Sequence, residues 1–250
     1  MNKNAKLQIL YSVLGVALVF VLWLIFYLVV RNEYLLPAPF AVLEKAGLLL
    51  FKIEFYTALL STILRVLISV VISLVISTIL ALLCVYFSKL SVVLAPLMAC
   101  LRSLPTLAVL LLILTFTKRS FAPVVVAVIS LIPLSFSKIY GDFSKLEKTV
   151  SPIFKVFEVS IKKQVGVYLK GVIPTIIKEF FSLTSFSLKL IVSGEIIANV
   201  YKSIGGNIQQ ASIYSDTLTL TALTIWVCAF GVVLEVVGAI ISAKTEAKYL

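Results

Sequence analysis

The chain has 250 residues, is 61% hydrophobic and only 13% charged, and has a mean hydropathy of +1.15. A soluble domain carries about 25% charged residues and could not bury this much apolar surface in its core, so lipid must solvate most of the chain. The net charge of +11 does not point to nucleic acid, because the lysines sit mainly between apolar blocks and form no basic aromatic platform; cationic loops beside apolar spans suit the cytoplasmic membrane face instead.

Residues 8–30 form a first apolar run, longer than the roughly 20 residues that cross a bilayer. It has no small-residue cleavage site of the kind that ends a signal peptide. Trp23 and Tyr27 lie toward its far end, where an interfacial aromatic belt belongs. Leu36-Pro37-Ala38-Pro39 is a stiff extended stretch. The short amphipathic segment after it is expected to lie along the outer membrane surface.

Residues 57–87 form a second span, rich in β-branched residues and serines and broken only by Arg65. Small residues let membrane helices approach closely. Ser88-Lys89-Leu90-Ser91 reads as a tight turn. Residues 92–116 form a third span containing Pro96, Arg102 and Pro105. Its prolines free backbone carbonyls that protein or a water-lined cavity must satisfy. Thr117-Lys118-Arg119-Ser120 reads as a second turn, and residues 121–139 as a fourth span with Pro123 and Pro133.

Residues 140–175 are the one long polar interval. Phe154, Phe157, Ile161, Val165, Tyr168 and Val172 follow one another at three- and four-residue steps, which places them on one helical face. Ser151-Pro152 marks a start, Glu158 and Lys162 form a favourable i,i+4 pair, and Gly166 is a point of bending. Two readings follow: a helix lying in the lipid interface, or a cytoplasmic docking helix that fits a partner's groove.

Residues 176–200 form a fifth span, interrupted by Lys189 and Glu195. Residues 201–216, with Gly205-Gly206-Asn207, read as a polar external loop. Residues 217–243 form a sixth span with Trp226, Gly231 and Glu235. Six spans with a cytoplasmic N-terminus put the C-terminus on the same side. The inside segments then hold Lys3, Lys6, Lys89, the lysines around 138–178, Lys244 and Lys248, as the distribution of positive charge requires. Lys118 and Arg119 fall outside, against that rule.

Charges within spans default to a functional reading. Arg102, Pro105, Lys189 and Glu195 are candidates for lining a translocation pathway, where cationic side chains suit an anionic solute. Lys189 and Glu195 could pair if the fifth helix bends. The plainer reading is that residues near span ends, Arg65 and Glu235 among them, extend to the interface. Cys84, Cys100 and Cys228 read as small core hydrophobes. The sequence has no histidine, which removes the commonest general base and metal ligand. It also has no Gly-x-x-x-x-Gly-Lys-Ser/Thr, so it does not bind ATP by a P-loop. No nucleophile–base constellation stands out, and no enzyme activity is expected.

Several pieces, in order, are similar to the inner-membrane permease subunit of bacterial ABC importers, nearest the nitrate/sulfonate/taurine branch. They are Leu36-Pro37-Ala38-Pro39, Ser61 with Arg65, Pro96, Arg102-Ser103-Leu104-Pro105-Thr106-Leu107-Ala108, Ile132-Pro133, Tyr140-Gly141, Ile173-Pro174, Gly194-Glu195, Gly205-Gly206 and Gly231 through Glu235. The resemblance covers about residues 36–242. It implies an all-α polytopic fold of about six transmembrane helices in one domain, in a bacterial cytoplasmic (inner) membrane. It also implies a coupling-helix loop between the fourth and fifth helices.

The implied partners are a second permease subunit, most simply in a homodimer, two cytoplasmic ATPases that hold ATP and Mg, and an external solute-binding protein that delivers a small polar nutrient. Counting back from Pro174 by the family's spacing puts Ile161 in the signature loop's glycine slot. Lys155-Val156-Phe157 then takes the place of Glu-Ala-Ala. The resemblance thus assigns coupling to Lys155, Val156, Phe157, Glu158, Ile161, Gly166 and Pro174, with bulkier letters than the family pattern. The alternative is a stand-alone membrane protein whose basic loop binds anionic lipid or a scaffold.

Overall fold

The computed structural model describes residues 3–249, without the side chains of residues 3–10, 12, 13, 16 and 244–249. The inside positions Lys3, Lys6, Lys244 and Lys248 therefore fall outside the described side chains. The chain is all-helical, with no strand among the described residues. In order it forms α1 (Lys3–Val30), α2 (Pro39–Leu49), α3 (Ile53–Tyr86), α4 (Ser88–Ser103), α5 (Thr106–Leu114), α6 (Ala122–Val156), α7 (Ile161–Ala198), α8 (Ile204–Ile213) and α9 (Thr217–Tyr249).

Among the described residues, α3, α6, α7 and α9 are long and apolar enough to cross a membrane. The apolar part of α1 within them is Ala17–Val30, shorter than a crossing. The third predicted span is not one straight helix. It is divided between α4 and α5, which meet at 88° and together make at most one further broken span. The cause is local: proline disfavours helix in the residue before it, and Leu104, before Pro105, is extended at ψ 127°.

Other boundaries also differ from expectation. Ser88–Ser91 is the first turn of α4 rather than a loop, and only Phe87, at φ −121° and ψ 82°, interrupts the chain. The segment 201–216 is mostly helix α8, with Ile204, Gly205, Gly206 and Ile208 buried. The fourth span continues without a break through the polar interval to Val156, so Pro152 lies inside α6 rather than at a start. Cys84 is buried, but Cys100 and Cys228 are exposed rather than core.

Helices α3, α6 and α7 form the centre, each packed on the other two, with α9 against α7 and α2 and with α8 wedged between α7 and α9. One apolar cluster joins α2, α3, α7, α8 and α9 through Val42, Phe55, Val66, Ile191, Ile204 and Leu223. A second joins α3, α6 and α7 through Val70, Leu74, Phe136, Ile139, Phe143 and Val172. Along α3 runs a seam of small hydroxyl residues. Ser69 and Ser187 Oγ are 2.7 Å apart and Ser77 and Ser135 Oγ 2.6 Å apart, and Ser77 also donates to the Ile132 carbonyl at 3.0 Å. Small side chains allow close backbone approach, and their hydroxyls are satisfied by bonds across or along helices.

The central helices have 34, 35 and 38 residues. At 1.5 Å per residue they are roughly 50–57 Å long, well beyond the ~30 Å of bilayer hydrocarbon. The polar stretch from about residue 140 to 175 is made of the facing ends of α6 and α7, which form an antiparallel hairpin.

Candidate functional site

Three polar constellations stand out. The first is built on Glu195, near the C-terminus of α7 and fully buried. Arg65 Nη1 on α3 donates to its Oε1 at 2.8 Å. The Thr62 hydroxyl, one turn earlier on α3, lies 2.9 and 3.1 Å from the two carboxylate oxygens. The Gly205 N–H in the first turn of α8 donates to Oε2 at 3.1 Å. The Ile204 N–H donates to Thr62 Oγ1 at 3.1 Å. Arg65 is held in turn by Ser61 Oγ at 2.8 Å and by the Ser120 carbonyl at 3.2 Å.

The backbone makes this arrangement possible. Asn199, left-handed at φ 48°, ends α7 and turns the chain back. Ser203 caps α8 by accepting from the Gly206 N–H at 2.9 Å. A Cβ on Gly205 would lie 2.4 Å from Glu195 Cβ and 2.6 Å from the Val192 carbonyl oxygen, and one on Gly206 would lie 1.9 Å from the Val200 carbonyl oxygen. Only glycines let the start of α8 reach the carboxylate, whose charge also suits a helix N-terminus. Glu195 therefore faces protein on every side and ties α3, α7 and α8 together. Its partner is Arg65, not Lys189, and the Arg65 side chain is mostly buried against it.

The second constellation is the hairpin tip. The single helical face expected over 154–172 is broken at 157–160, where Glu158 is left-handed at φ 47°. The turn is closed by the Val159 N–H donating to the Phe154 carbonyl at 3.0 Å, and by the Gln164 side chain donating to the Val159 carbonyl at 2.7 Å. Glu158 lies in the turn, so it does not share the helical register with Lys162.

The expected face is thereby split. Phe154, Tyr168 and Val172 are buried. Phe157 and Ile161 are 73% and 69% exposed, beside Val156 and Ile153. Lys155, Lys162 and Lys163 lie close to them in the sequence and are also exposed. Behind the tip, Tyr168 meets Phe154, Phe143 and Tyr86 edge-on at centroid distances of 5.7, 6.3 and 6.1 Å. Gly171 lets α7 pass Leu146 of α6, since a Cβ there would lie 2.4 Å from Leu146 Cδ2. Gly166 has open space around it and does not break α7, and Pro174 lies inside α7 rather than at its start.

The third constellation lies at the hairpin's base. A cleft of about 520 Å³ is lined by residues of α6, α7 and α9, among them Lys138, Asp142, Lys145, Thr175, Lys178 and Glu179. Lys138 Nζ donates to Glu179 Oε1 at 2.8 Å. Asp142 accepts from Lys145 Nζ at 2.9 Å and from the Thr175 hydroxyl at 2.7 Å. Sequence reasoning missed this cleft. The available signal was the Lys178-Glu179 pair at the edge of an apolar block, opposite Lys138 at the edge of the preceding one.

The remaining candidates lie apart. Arg102, at the end of α4, donates to the Pro133 carbonyl at 2.8 Å and to Ser137 Oγ, and Pro105 breaks α4 from α5 next to it. Lys189 Nζ is 3.8 Å from Glu235 Oε1, which also accepts from Ser185 Oγ at 2.8 Å. The four residues expected along a pathway thus occupy three separate settings within one chain. No protein-family model matches the chain, and no curated protein sequence does either.

Proposed function

We propose that the chain is the transmembrane permease subunit of an ABC importer, moving a small polar solute inward. The observation that carries this reading is the α6–α7 hairpin. It is polar in sequence, is braced internally, and ends in an exposed apolar tip with lysines beside it in the sequence. The tip falls where the resemblance puts the coupling loop. A helical tip with an apolar centre suits a groove on a partner, and its exposure in a water-facing turn is costly unless a partner covers it.

In this reading a second permease subunit completes the pathway, two ATPases seat the tips, and an external binding protein delivers the solute. ATP and Mg belong to the ATPases. Closure of the ATPase pair carries residues 150–173 with it. The hairpin transmits the displacement to α3, α6 and α7, which tilt between inward- and outward-open states. The membrane is a bacterial inner membrane with the tip on the cytoplasmic side. Arg102, Lys189 and the Glu195 clamp bound moving parts of the helix bundle, while the partner outside chiefly selects the solute.

The test is affinity capture of the tagged full chain from its own cells, with captured proteins identified by mass spectrometry and assayed for ATP hydrolysis. Wild type should retain a P-loop ATPase, and the Phe157→Asp/Ile161→Asp variant should lose it while still entering the membrane. Retention by both, or capture of no ATPase by wild type, would defeat the reading.

A further inference from the structure

We infer that one face of α7 lines a water-filled passage inside the membrane, and that Glu235 on α9 balances the charge of Lys189 within it. The inference rests on the transport reading for what moves through the passage. Ser182, Lys189 and Ser193 of α7 are all exposed. At 100° per residue they fall within a sector of about 40°, and they cover roughly 17 Å along the helix axis. Lys189 Nζ lies 3.8 Å from Glu235 Oε1, and the two side chains are 67% and 61% exposed.

Neither charge is at the end of its span. Lys189 lies about 15 Å along α7 from Glu179 and about 9 Å from Glu195. Glu235 lies about 12 Å inside Ala243, where the apolar stretch of α9 ends. At such depth charged side chains face water or other polar groups, not hydrocarbon. The serines lead to the same place. The buried hydroxyls of Thr184, Ser185 and Ser187 on α7 all have partners within the fold. Those of Ser182 and Ser193 have none among the described residues, so water is the partner left for them.

Helix α3 supplies the contrast. The Ser69–Ser187 contact sets its depth against α7. Its exposed positions around that level are aliphatic, Leu64, Ile68, Ile72 and Ile79 among them. That face suits lipid, and the α7 face does not. Because Lys189 and Glu235 neutralise each other, the passage is not the cationic channel that Lys189 alone would make. Glu235 sets its charge preference as much as Lys189 does.

Single cysteines test this in the full chain, in open membrane fragments from its own cells. Exposed Cys100 and Cys228 are replaced by alanine, and buried Cys84 is kept. Ser182→Cys and Ser193→Cys should react with charged, membrane-impermeant methanethiosulfonates, and Ile68→Cys and Ile72→Cys should not. At low salt, removing a unit charge about 10 Å from a thiol in water changes the rate of each reagent about twofold, in opposite senses for anion and cation. Glu235→Gln should therefore raise the ratio of anionic to cationic labelling at Ser193→Cys about fourfold. Lys189→Met should lower it by a similar factor.

Labelling at the two serine positions no faster than at the isoleucine positions would overturn the passage, whether lipid or a second copy covers the face. A ratio that neither charge variant moves would overturn the balance. Capture of an ATPase by a chain whose serine positions stay unlabelled would leave the importer reading standing and remove this inference alone. Labelling without any captured ATPase would keep the passage and remove the importer reading.

Discussion

Replacing Arg65 by methionine tests whether the Glu195 constellation holds the bundle together. At 2.8 Å and an effective dielectric near 20, the direct attraction between the two charges is about 6 kcal/mol. Most of that is offset by removing both groups from water, so the useful quantity is the cost of breaking the pair, about 3–5 kcal/mol when one charge stays buried alone. Arg65 also holds Ser61 and the Ser120 carbonyl, which places the expected loss at the upper end of that range. Glu195→Gln keeps an acceptor for Gly205 and Thr62 and leaves no naked carboxylate, so it should cost about 1–3 kcal/mol. The double variant should be more stable than the sum of the two losses, with a coupling of roughly 1–3 kcal/mol. The assay is reversible unfolding in mixed detergent–dodecyl sulfate micelles, followed by circular dichroism. An Arg65→Met loss under about 1 kcal/mol, or strictly additive variants, would refute the clamp, because either result means that the partners do not depend on each other.

Glycine contacts give a second contrast in the same assay. Gly206→Ala should destabilise by about 1–3 kcal/mol, because its Cβ runs into the Val200 carbonyl and overpacking costs that much. Gly166→Ala, in open helical space, should instead stabilise by about 0.5–1 kcal/mol. Phe157→Asp/Ile161→Asp should leave folding within about 0.5 kcal/mol of wild type, since both side chains are exposed, which separates a docking defect from a folding one. A last contrast concerns acid. Partial burial pushes the Asp216 carboxyl up, but its bonds to Thr219 and the charges of Lys45 and Lys52 outweigh this and hold it below its usual 3.8. A depressed folded value means that stabilisation is present above the unfolded value and is lost as pH falls through the folded one. The start of α9, where the Thr219 N–H donates to Asp216 Oδ1 at 2.9 Å, should therefore loosen below about pH 4. Hydrogen exchange at residues 217–221 should report this in wild type and not in Asp216→Asn, and equal acid responses in the two would count against the cap.

The membrane character and the helical class were legible from composition and from apolar runs, because lipid demands both. Partnerships between charges were not. Arg65 and Glu195 are 130 residues apart, and no local period links them. Pairing of Lys189 with Glu195 was the nearest choice in sequence, but α7 does not bend to bring them together, and Lys189 turns to Glu235 on α9. The helix in 204–213 was hidden by its glycines, which resemble turn residues until Glu195 is seen to occupy the space their side chains would need. The face drawn through 154–172 followed a sound helical period, but Glu158 at φ 47° interrupts it. Phe154 and Phe157, three residues apart, are consequently divided between the interior and the tip.

These positions bear on how a force at the tip could travel. A long helix transmits displacement only if it is stiff and fixed at more than one level. Helix α7 is fixed at three. The Tyr168 ring cluster locks it to α6 near the tip. Thr175 and Glu179 fasten it to Asp142 and Lys138 at the base. Glu195 ties its far end to α3 and α8. The base is the level with an incomplete contact, at Glu179 Oε2. Deleting both base contacts with Thr175→Val/Lys138→Met should leave tip binding intact while reducing whatever motion the tip drives, measured as spin-label distances between α6 and α9 with and without ATP and the ATPase that the proposed function calls for. An unchanged distance response in that variant would mean that force enters the bundle by another route.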